Sequence, residues 1–300
     1  MKIVVMGAGA IGSLFGGLLA LRGEDVLLVG RRSHVDAINS RGLKISGMTD
    51  AIVHVRASTH PEEGDLILFT VKSYDTEKAA SSLIINDDTI VLSLQNGLGN
   101  EEKIAEVVGR EHVIGGVTSY GALFLEPGHV SHTGIGETVI GELDGSITER
   151  VSRLSDLLNK AGIMTSVTDS IKRKIWEKLV VNVGINAITA ITGVKNGKLL
   201  EIPQLRELMR YASLEAVEVG RKQGIDLGYD LIDRVEEVAR RTAENRSSML
   251  QDISRGKKTE IDAINGMIVR LGEEVGVDTP VNRILTLLVR GIEKSEAFRR

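Results

Sequence analysis

One lysine and two asparagines in an apolar stretch of the sequence have the spacing and the chemistry of a reaction site. Lys178, Asn182 and Asn186 follow one another every four residues within residues 174–193, so a helix would carry all three on one face. An ammonium group held beside two amides in a partly dry cleft can stabilise and protonate an oxygen that gains negative charge. A solvated helix end would explain a lone lysine, but the two asparagines behind it favour a cleft.

The other residues of this stretch predict the element that positions the three side chains. Apart from the two asparagines, residues 179–188 are all apolar or glycine. Such a segment leaves no wide solvated face, which is typical of a helix in a protein core. The sequence therefore predicts a buried helix over residues 171–190 whose lysine and asparagines face a cleft.

Composition limits the classes of function. The chain has 300 residues, of which 42% are apolar and 26% charged, with a net charge of −4 and no cysteine. These values are ordinary for a globular protein and argue against general affinity for nucleic acid or anionic membranes. Disulfides, zinc thiolate sites and cysteine nucleophiles are excluded. Because neither a signal peptide nor a transmembrane stretch is visible, we expect a cytoplasmic protein of one large or two medium domains.

The first residues carry the pattern of a dinucleotide-binding turn. Residues 2–6 predict a buried parallel strand, and an apolar helix is predicted to run to about Leu21. Between them stands Gly7-Ala8-Gly9-Ala10-Ile11-Gly12. In this pattern the first glycine makes the tight turn, the second lets the backbone approach a pyrophosphate, and the third lets helix and strand pack closely. The helix N-terminus favours the anion. A second predicted strand, Asp25–Val29, completes the unit, so we expect these residues to bind a dinucleotide.

The residues after the second predicted strand indicate which dinucleotide binds. NAD sites place Asp or Glu there to hold the ribose 2′-hydroxyl, whereas this chain has Gly30-Arg31-Arg32-Ser33 and no carboxylate before Asp36. Guanidinium and hydroxyl groups suit a 2′-phosphate, which favours NADP. In the alternative interpretation, Arg31 and Arg32 stack on the adenine or solvate the loop, and NAD stays open as the cofactor.

Two further strand ends supply candidate ligand contacts. Residues 65–71 and 89–94 predict buried strands, which end at Lys72 and at Gln95-Asn96-Gly97. Ligands of open α/β sheets bind beyond the carboxyl ends of the strands. Lys72 and Asn96 are therefore candidate contacts to the cofactor or the substrate. A simple turn is the alternative interpretation of Asn96-Gly97.

The rest of the chain divides into a mixed part and a helical part. Residues 113–117 and 164–167 predict strands, residues 129–141 a hairpin or the edge of a mixed sheet, and residues 147–161 an amphipathic helix. His129 and His132 would point to opposite faces of a strand, so a metal pair is not expected there. Beyond residue 169 the strand signals vanish, and helices are predicted over residues 171–190, 203–223, 229–245, 258–275 and 280–290. We therefore expect an α/β Rossmann-type N-terminal domain over residues 1–168, followed by an all-α C-terminal domain over residues 169–300.

The predicted helix over residues 258–275 contains one more candidate. Glu260 lies four residues before Ile264 and seven before Met267, so it borders the buried face of that helix. Asp262 and Glu273, in contrast, are expected to be solvated. The alternative interpretation is that Glu260 is a first-turn carboxylate that stabilises the helix N-terminus. The two roles do not exclude each other.

Taken together, these segments resemble the ketopantoate reductase (2-dehydropantoate 2-reductase) family nearly end to end. The resemblance rests on GAGAIG at 7–12, VKSYD at 71–75, QNGLG at 95–99, WEKLVVNVGINAITA at 176–190, KNG at 195–197, and NRSSMLQD with TEID within 245–262. The spacing between these segments also fits, which makes the match more specific than the glycine motif alone. The family reduces the 2-oxo group of ketopantoate to pantoate, usually with NADPH, on the way to pantothenate and coenzyme A.

The resemblance implies roles for individual positions. Lys178 would be the proton donor, and the implied substrate ligands are Asn182, Asn186, Asn196 and Ser248. Asn96 would contact both ligands, and Glu260 would contact the cofactor or a substrate hydroxyl. The implied cofactor contacts beside the glycine motif are Arg31, Lys72 and Ala122. We expect Asn96, Lys178 and Glu260 to converge on one pocket.

Two other functions stay open at this point. A β-hydroxyacid dehydrogenase acting on another small acid also joins a Rossmann domain to a helical domain with a lysine. A non-catalytic NADP-sensing protein would bind the cofactor without turnover, although a sensor needs no proton donor. The chain departs from part of the family pattern with QNG in place of HNG and with a second arginine after Arg31, and these departures bear on coenzyme and substrate rather than on reaction type. The expected partner is a small-molecule 2-oxo acid, not a nucleic acid or a membrane, and a homodimer is left open.

Overall fold

The structure, a computed structural model, describes the backbone of residues 1–298 and the side chains of residues 1–295. Contacts between residues divide the chain into two units. The first comprises residues 1–95 and 99–171, and the second comprises residues 96–98 and the chain from residue 172 onward. Within the described residues, no helix has the length and apolar content that crossing a membrane requires.

The first unit combines two sheets with flanking helices. Its strands are β1 (Lys2–Met6), β2 (Asp25–Val29), β3 (Leu43–Gly47), β4 (Ala51–Val53), β5 (Arg56–Ser58), β6 (Leu66–Phe69), β7 (Ile90–Ser93), β8 (Val113–Thr118), β9 (Gly121–Glu126), β10 (His129–Gly134), β11 (Thr138–Glu142) and β12 (Thr165–Val167). Its helices are α1 (Ala10–Leu21), α2 (Arg32–Arg41), α3 (Thr76–Ala80), α4 (Asn100–Val108) and α5 (Glu149–Lys160).

The larger sheet has the strand order β12-β11-β8-β7-β6-β1-β2-β5. β1 pairs in parallel with β2 and with β6, and β7 and β8 continue the parallel arrangement, whereas β11 runs antiparallel to β8. All four residues of β6 are buried, which explains why this strand is a continuous apolar run. The predicted strands over residues 2–6 and 25–29 are confirmed, while those predicted over residues 65–71 and 89–94 are shorter than expected.

A second sheet, with the order β4-β3-β10-β9, is not predicted by the sequence. β10 runs antiparallel to β9 and parallel to β3. β11 instead pairs with β8 and β12 in the larger sheet. Of the two alternatives predicted over residues 129–141, the hairpin is therefore wrong. The other alternative is right in part, because β10 and β11 lie in mixed sheets, but neither strand is at an edge. Alternating residues indicate a strand but not its partner, because strand pairing depends on contacts distant in the sequence.

Helix α1 packs closely against both sheets because two of its residues are glycines. A Cβ at Gly16 would lie 2.4 Å from Leu28 Cδ2 in β2. A Cβ at Gly17 would lie 2.7 Å from Ile45 Cδ1 in β3. Both distances are well below van der Waals contact, so larger residues would push the helix away from either sheet. The apolar side chains of α1 and of both sheets form one core, which fixes the helix that follows the glycine motif.

The second unit is built from helices. They are α6 (Ile171–Thr192), which begins at the last residue of the first unit, α7 (Lys198–Glu201), α8 (Pro203–Lys222), α9 (Asp230–Arg241), α10 (Ser248–Ser254), α11 (Asn265–Val275) and α12 (Pro280–Phe298). The helices predicted over residues 171–190 and 203–223 are confirmed. The one predicted over residues 229–245 ends earlier, and the one over 280–290 continues further. The sequence does not predict α7 and α10, because 4 and 7 residues are too few to show a helical period.

The helix predicted over residues 258–275 is wrong in its first part. The chain instead forms a short 3-10 helix, Ile261–Ala263, and α11 begins only at Asn265. The backbone of Ile264, with φ −109° and ψ −96°, lies outside the helical range. Leu98 N–H donates to Ala263 O at 3.2 Å, so this carbonyl bonds to another segment rather than to the next turn of a helix. Because Ile261, Ile264 and Ile268 lie in one core, the apolar period runs across the break and hides it in the sequence.

Helix α6 lies in the core of the second unit. A Cβ at Gly184 would lie 2.5 Å from Ser213 Oγ in α8 and 2.8 Å from Val235 Cγ1 in α9, so α6 approaches two helices at a glycine. Farther toward its start, the ring of Trp176 packs on Gly220 of α8, where a Cβ would lie 3.0 Å from the ring. The close approach on these sides sets how near α6 lies to α8 and α9.

His34 joins three elements of the first unit at the start of α2. Its side chain is 2% exposed. Its Nδ1 accepts a hydrogen bond from Gly128 N–H (2.8 Å) in the β9–β10 turn, and its Nε2 lies 3.0 Å from Ser13 Oγ in α1. Because Nδ1 accepts, the neutral ring carries its proton on Nε2. Burial lowers the pKa of His34 to about 4, since the charged form would lose its hydration. At the other end of α2, Arg41 donates to Pro127 O (2.7 Å) in the same turn.

The lowered pKa of His34 predicts a pH-dependent stability. As the pH falls from 6.5 to about 4, the unfolded chain takes up a proton that the folded chain does not, so the free energy of unfolding falls. His34→Gln keeps a donor and an acceptor but does not titrate. Across this pH range, the free energy of unfolding of the wild type should therefore fall by about 2–3 kcal/mol more than that of His34→Gln. Urea titrations at each pH measure both values. His60→Gln, at an exposed histidine, is the control, and a difference between His34→Gln and wild type that stays constant with pH would contradict the assignment.

Candidate active site

The glycine motif forms a tight turn between β1 and α1. Gly7 has a φ of +108°, which residues with a side chain rarely adopt, and a Cβ there would lie 2.6 Å from Val71 N. A Cβ at Gly12 would lie 2.3 Å from Gly7 O and 2.5 Å from Thr70 Oγ1. Thr70 Oγ1 also donates to Gly7 O at 2.8 Å. Positions 7 and 12 therefore require glycine because the protein itself fills the space beside them.

Gly9, between them, differs because the space beside it is open. The residue is exposed, and the nearest atom to a Cβ there would be Gly7 O at 3.9 Å. Gly9 is the N-cap of α1, whose first turn holds no acidic residue. A helix N-terminus with room beside it and no competing carboxylate fits the pyrophosphate of a dinucleotide.

Arg31 and Lys72 follow the two strands that flank β1. Because β1 pairs in parallel with β2 and β6, the carboxyl ends of these strands and the glycine turn lie at one edge of the sheet. Arg31 is the N-cap of α2, and Arg31, Arg32 and Ser33 are exposed. Lys72 is half-buried and precedes a 3-10 helix that begins at Ser73. The structure therefore brings Arg31, Lys72 and the glycine motif, all of them predicted cofactor contacts, to one edge of the larger sheet.

Gln95 holds the loop that carries Lys72, a role that the sequence does not predict. Its buried Nε2 donates to Val71 O (3.0 Å) and to Thr76 Oγ1 (2.7 Å). Thr76 Oγ1 in turn donates to Asn100 Oδ1 at 3.1 Å. These bonds tie the end of β7 to the segment after β6. A polar residue at the end of an apolar strand is the signal in the sequence that points to such a tie.

Ala122 lies in β9 of the second sheet, half-buried and paired with His132, and its contact with a cofactor stays a prediction. On β10, His129 lies 2.8 Å from Ser46 Oγ and His132 lies 2.9 Å from Thr49 Oγ1, so the two imidazoles serve separate hydroxyl groups. Burial lowers the pKa of His132. Among the residues that the structure describes, no group of three or more histidine, aspartate or glutamate side chains could hold a metal ion.

In the second unit, α6 carries the predicted row of one lysine and two asparagines. Lys178 and Asn182 are half-buried, while Asn186 is 5% exposed. The row therefore passes from partly accessible to buried along the helix. Side chains that are shielded from water in this way interact more strongly with a charged ligand than they would at a fully exposed surface.

Asn186 meets Ser248 at the start of α10. Its Nδ2 lies 3.5 Å from Ser248 Oγ, at the outer limit of a hydrogen bond. The neighbouring Ser247 caps α10 by accepting Leu250 N–H (3.1 Å), and it receives the hydroxyl of Thr189 at 2.7 Å. Thr189 lies one turn beyond Asn186, so two successive turns of α6 contact two neighbouring serines at the start of α10. The sequence does not predict the roles of Thr189 and Ser247, although a threonine on the buried side of a core helix indicates a partner.

Asn196 is held by the segment that leads to α10. Its backbone N–H donates to Asn245 O (3.0 Å), and its Nδ2 donates to Thr242 Oγ1 (2.9 Å). The side chain is 7% exposed, and within the described part of the chain its Oδ1 has no hydrogen-bond partner. Because a buried amide oxygen requires a donor, Asn196 can accept a hydrogen bond from a ligand while its amino group stabilises the fold.

Asn96 and Glu260 belong to backbone segments in direct contact. Leu98 N–H, two residues after Asn96, donates to Ala263 O at 3.2 Å. Ala263 N–H donates to Glu260 O at 3.0 Å, and the side chain of Glu260 is 5% exposed. The predicted burial of Glu260 is confirmed, but it precedes a 3-10 turn rather than standing in the first turn of a long helix. Its convergence with Asn96 and the lysine of α6 on one pocket stays a prediction.

The fold and these residues together define a class of protein, an oxidoreductase with an α/β dinucleotide-binding part and a helical part that carries polar side chains. Residues 3–145 match the family model described as Ketopantoate reductase PanE/ApbA, and residues 170–293 match the one described as Ketopantoate reductase PanE/ApbA C terminal. The chain therefore belongs to the ketopantoate reductase family, and the resemblance carried by its motifs is confirmed.

Individual relatives and solved structures agree over the full length. The chain is 45% identical to the 2-dehydropantoate 2-reductase of Archaeoglobus fulgidus, over 97% of this chain and 98% of the relative. It is also 45% identical to that of Pyrococcus horikoshii, over 98% of each. A PanE/ApbA family ketopantoate reductase from Ralstonia eutropha has a TM-score of 0.93 at 36% identity, covering 99% of this chain and 100% of the other. A D-mandelate dehydrogenase solved with NADH and anilino(oxo)acetate has a TM-score of 0.95 at 31% identity, with the same coverage.

Two substitutions that each add one methyl group separate ligand binding from folding in the glycine motif. Gly12→Ala places a Cβ 2.3 Å from Gly7 O, so we expect the melting temperature to fall by roughly 5–10 °C. Gly9→Ala meets no atom closer than 3.9 Å and should keep the wild-type melting temperature. It should nevertheless weaken NADPH binding about tenfold or more, measured by fluorescence titration, because the methyl group occupies the room for the pyrophosphate. Unchanged NADPH affinity in Gly9→Ala would show that the dinucleotide does not approach this turn.

Proposed function

We propose that this chain reduces the 2-oxo group of ketopantoate to pantoate with NADPH, a step toward pantothenate and coenzyme A. The observation that carries the proposal is the row on α6, an amine and two amides on a buried helix, with Ser248 beside the last amide. The identity of 45% to relatives named 2-dehydropantoate 2-reductase, over nearly the whole of each chain, supports the same substrate.

Lys178 is proposed to stabilise and protonate the oxygen that becomes the product hydroxyl. Reduction of a ketone builds negative charge on its oxygen, and NADPH, when bound, supplies the hydride. The ammonium group of Lys178 holds a proton toward that oxygen and then donates it, as a general acid does. Because Lys178 is half-buried, its attraction for the developing charge is screened less than in water. The carboxylate of the substrate helps to keep the lysine charged.

The polar groups beyond Lys178 are proposed to bind the rest of the substrate. Ketopantoate carries a carboxylate and a hydroxyl group besides its 2-oxo group. Asn182, Asn186 and Ser248 supply amide and hydroxyl donors to the acceptor oxygens. Asn196 supplies a buried Oδ1 that has no partner among the described residues and that can accept the substrate hydroxyl. Uncharged donors suit a small hydroxy-oxo acid, whereas a phosphorylated substrate would favour arginine.

The edge of the larger sheet is proposed to bind the coenzyme. Gly9 and the N-terminus of α1 would hold the pyrophosphate, Lys72 would contact a ribose, and Arg31 would contact the 2′-phosphate. Arginine at the position where NAD sites carry a carboxylate favours NADPH. Asn96, Ala122 and Glu260 complete the proposed set of coenzyme contacts.

A second candidate is the reduction of another small 2-oxo acid with NADH. It is favoured by the D-mandelate dehydrogenase solved with NADH, whose TM-score is 0.95. A panel of ketopantoate, 2-oxoisovalerate and phenylglyoxylate, each assayed with NADPH and with NADH, separates the two. The highest kcat/KM for ketopantoate with NADPH is the expected result, and a preference for phenylglyoxylate with NADH would overturn the first proposal.

We also place the boundary between the two domains at residues 168 and 169. The end of β12 at Val167 and the interval between the two family models, from residue 145 to residue 170, support this position. A cytoplasmic location and assembly as a homodimer stay predictions.

Replacing the proposed proton donor tests the chemistry. Lys178→Ala should lower kcat by about 10²–10⁴-fold and leave NADPH affinity nearly unchanged, because a general acid acts in the transition state. Lys174→Ala is the matched control, since it removes a lysine of the same helix whose Nζ pairs with Glu177 at 3.0 Å. Turnover of ketopantoate is followed by the loss of NADPH absorbance. A wild-type kcat in Lys178→Ala would remove this lysine from the mechanism.

Replacing the proposed phosphate ligand tests the coenzyme. Arg31→Ala should weaken NADPH binding by about 1.5–3 kcal/mol, the range for hydrogen bonds to charged groups, and should barely change NADH binding. Arg22→Ala removes the same charge at the C-terminal end of α1 and controls for long-range electrostatics. Both affinities are measured by titration. If Arg31→Ala weakens both coenzymes equally, the guanidinium stacks on the adenine and the 2′-phosphate argument fails.

A further inference from the structure

A buried asparagine, Asn265, ties α6 to two other helices of the second unit. The residue is 0% exposed and is the first residue of α11. Its Nδ2 donates to Val183 O of α6 at 3.2 Å and to Asn282 Oδ1 of α12 at 2.9 Å. One side-chain amide group therefore holds a backbone carbonyl of α6 and a side chain of α12 at the same time.

The second partner of Asn265 is itself fixed on α8. Asn282 Nδ2 donates to Ala212 O (3.0 Å) and to Glu215 Oε2 (2.7 Å). The carboxylate of Glu215 also accepts the backbone N–H groups of Val281 (2.8 Å) and Asn282 (2.9 Å) at the start of α12. Asn265 thus stands at one end of a chain of hydrogen bonds that continues through Asn282 to α8.

The two elements that Asn265 joins both carry residues of the proposed site. Val183 directly follows Asn182 on α6. Asn265 is separated from Glu260 only by the 3-10 turn and its irregular last residue, and the same turn receives Leu98 N–H at 3.2 Å. The bond from Asn265 to Val183 is therefore a direct link between the helix with the lysine and the turn with the glutamate.

We infer that Asn265 is a positioning residue, which sets the axial and rotational position of α6 relative to the turn that precedes α11. The consequence for catalysis rests on the proposed function. If Lys178 and Glu260 act on one substrate, a displacement of α6 by one ångström can cost on the order of 10²-fold in rate. A directed hydrogen bond opposes such a displacement, whereas apolar contacts are non-directional and permit it.

An unpartnered amide oxygen argues that Asn265 serves position rather than stability. A leucine of similar size would fill the site without burying an amide, and burying an amide is costly unless all its groups are bonded. In the described part of the chain, Asn265 Oδ1 has no hydrogen-bond partner. The residue therefore carries an energetic cost that packing alone does not require, while its Nδ2 bonds to α6 at Val183 O and to α12 at Asn282 Oδ1.

The test compares Asn265→Leu with a control that loses stability in the same bonded chain. Asn265→Leu keeps the approximate volume and removes both bonds from Nδ2. Glu215→Gln weakens the far end of the chain, because an amide group then faces backbone donors, but it leaves the bond to Val183 O intact. We expect both variants to melt at a lower temperature than wild type. Asn265→Leu should lose kcat for ketopantoate by on the order of 10–100-fold, and Glu215→Gln should keep kcat within about twofold.

Hydrogen exchange measured by mass spectrometry gives a readout that does not depend on the substrate. Amides of α6 around Val183 should exchange faster in Asn265→Leu than in Glu215→Gln. Equal exchange and equal kcat in the two variants would overturn the positioning role. If the wild type does not reduce ketopantoate, the proposed function fails, and the exchange comparison still decides on Asn265. Where Asn265→Leu does not fold, Asn265→Ser, which is too short to reach Val183 O, is measured in its place with the same expected results.

Discussion

A polar side chain on a buried helix requires a partner, and this requirement organises the second unit. Helix α6 is buried along most of its length, yet Asn186 and Thr189 lie on it as buried polar residues. Thr189 bonds to Ser247, and the backbone of α6 at Val183 receives Asn265. Because unpaired buried polar groups are costly, the loop before α10 and the turn before α11 have to stand at fixed places around one helix. Buried polar groups, which packing alone does not require, thereby fix the positions of the segments that surround α6.

The first unit fixes its ligand edge by a different physical means. The turn between β1 and α1 is held by close backbone approach, with Gly7 and Gly12 at positions where a Cβ would overlap the protein itself. Only at Gly9 is there room. Steric exclusion shapes the turn at this edge, whereas around α6 hydrogen bonds act in addition to the close approach at Gly184 and Gly220.

Local patterns in the sequence predict β1, β2, β6, β7, β8 and β12 of the larger sheet, the glycine turn and α6, because each has its own period or motif. They do not predict β5 or the partners of β11. The second sheet is not predictable in this way, since β10 pairs with β3, which lies far from it in the sequence. The break at Ile264 is hidden because the apolar period continues across it, and the bond from Leu98 N–H to Ala263 O depends on a contact distant in the sequence. Within the site, the spacing of Lys178 and the two asparagines of α6 is visible in the sequence. Asn265 is not, because its partner on α6 is a backbone carbonyl, which every residue possesses. A polar residue at an apolar position of the helical period is the only sign of it.

The β9–β10 turn holds α2 at both ends, through His34 near its start and Arg41 at its end. Arg31, Arg32 and Ser33 are therefore exposed at the start of a helix whose position is fixed by other residues. Under the proposed function, selectivity between phosphorylated and unphosphorylated coenzymes would change by exchange of these exposed side chains, without a change in the position of the helix. For protein engineering, residues 31–33 are therefore the positions to exchange, while the contacts of His34 and Arg41 with the β9–β10 turn are those to preserve.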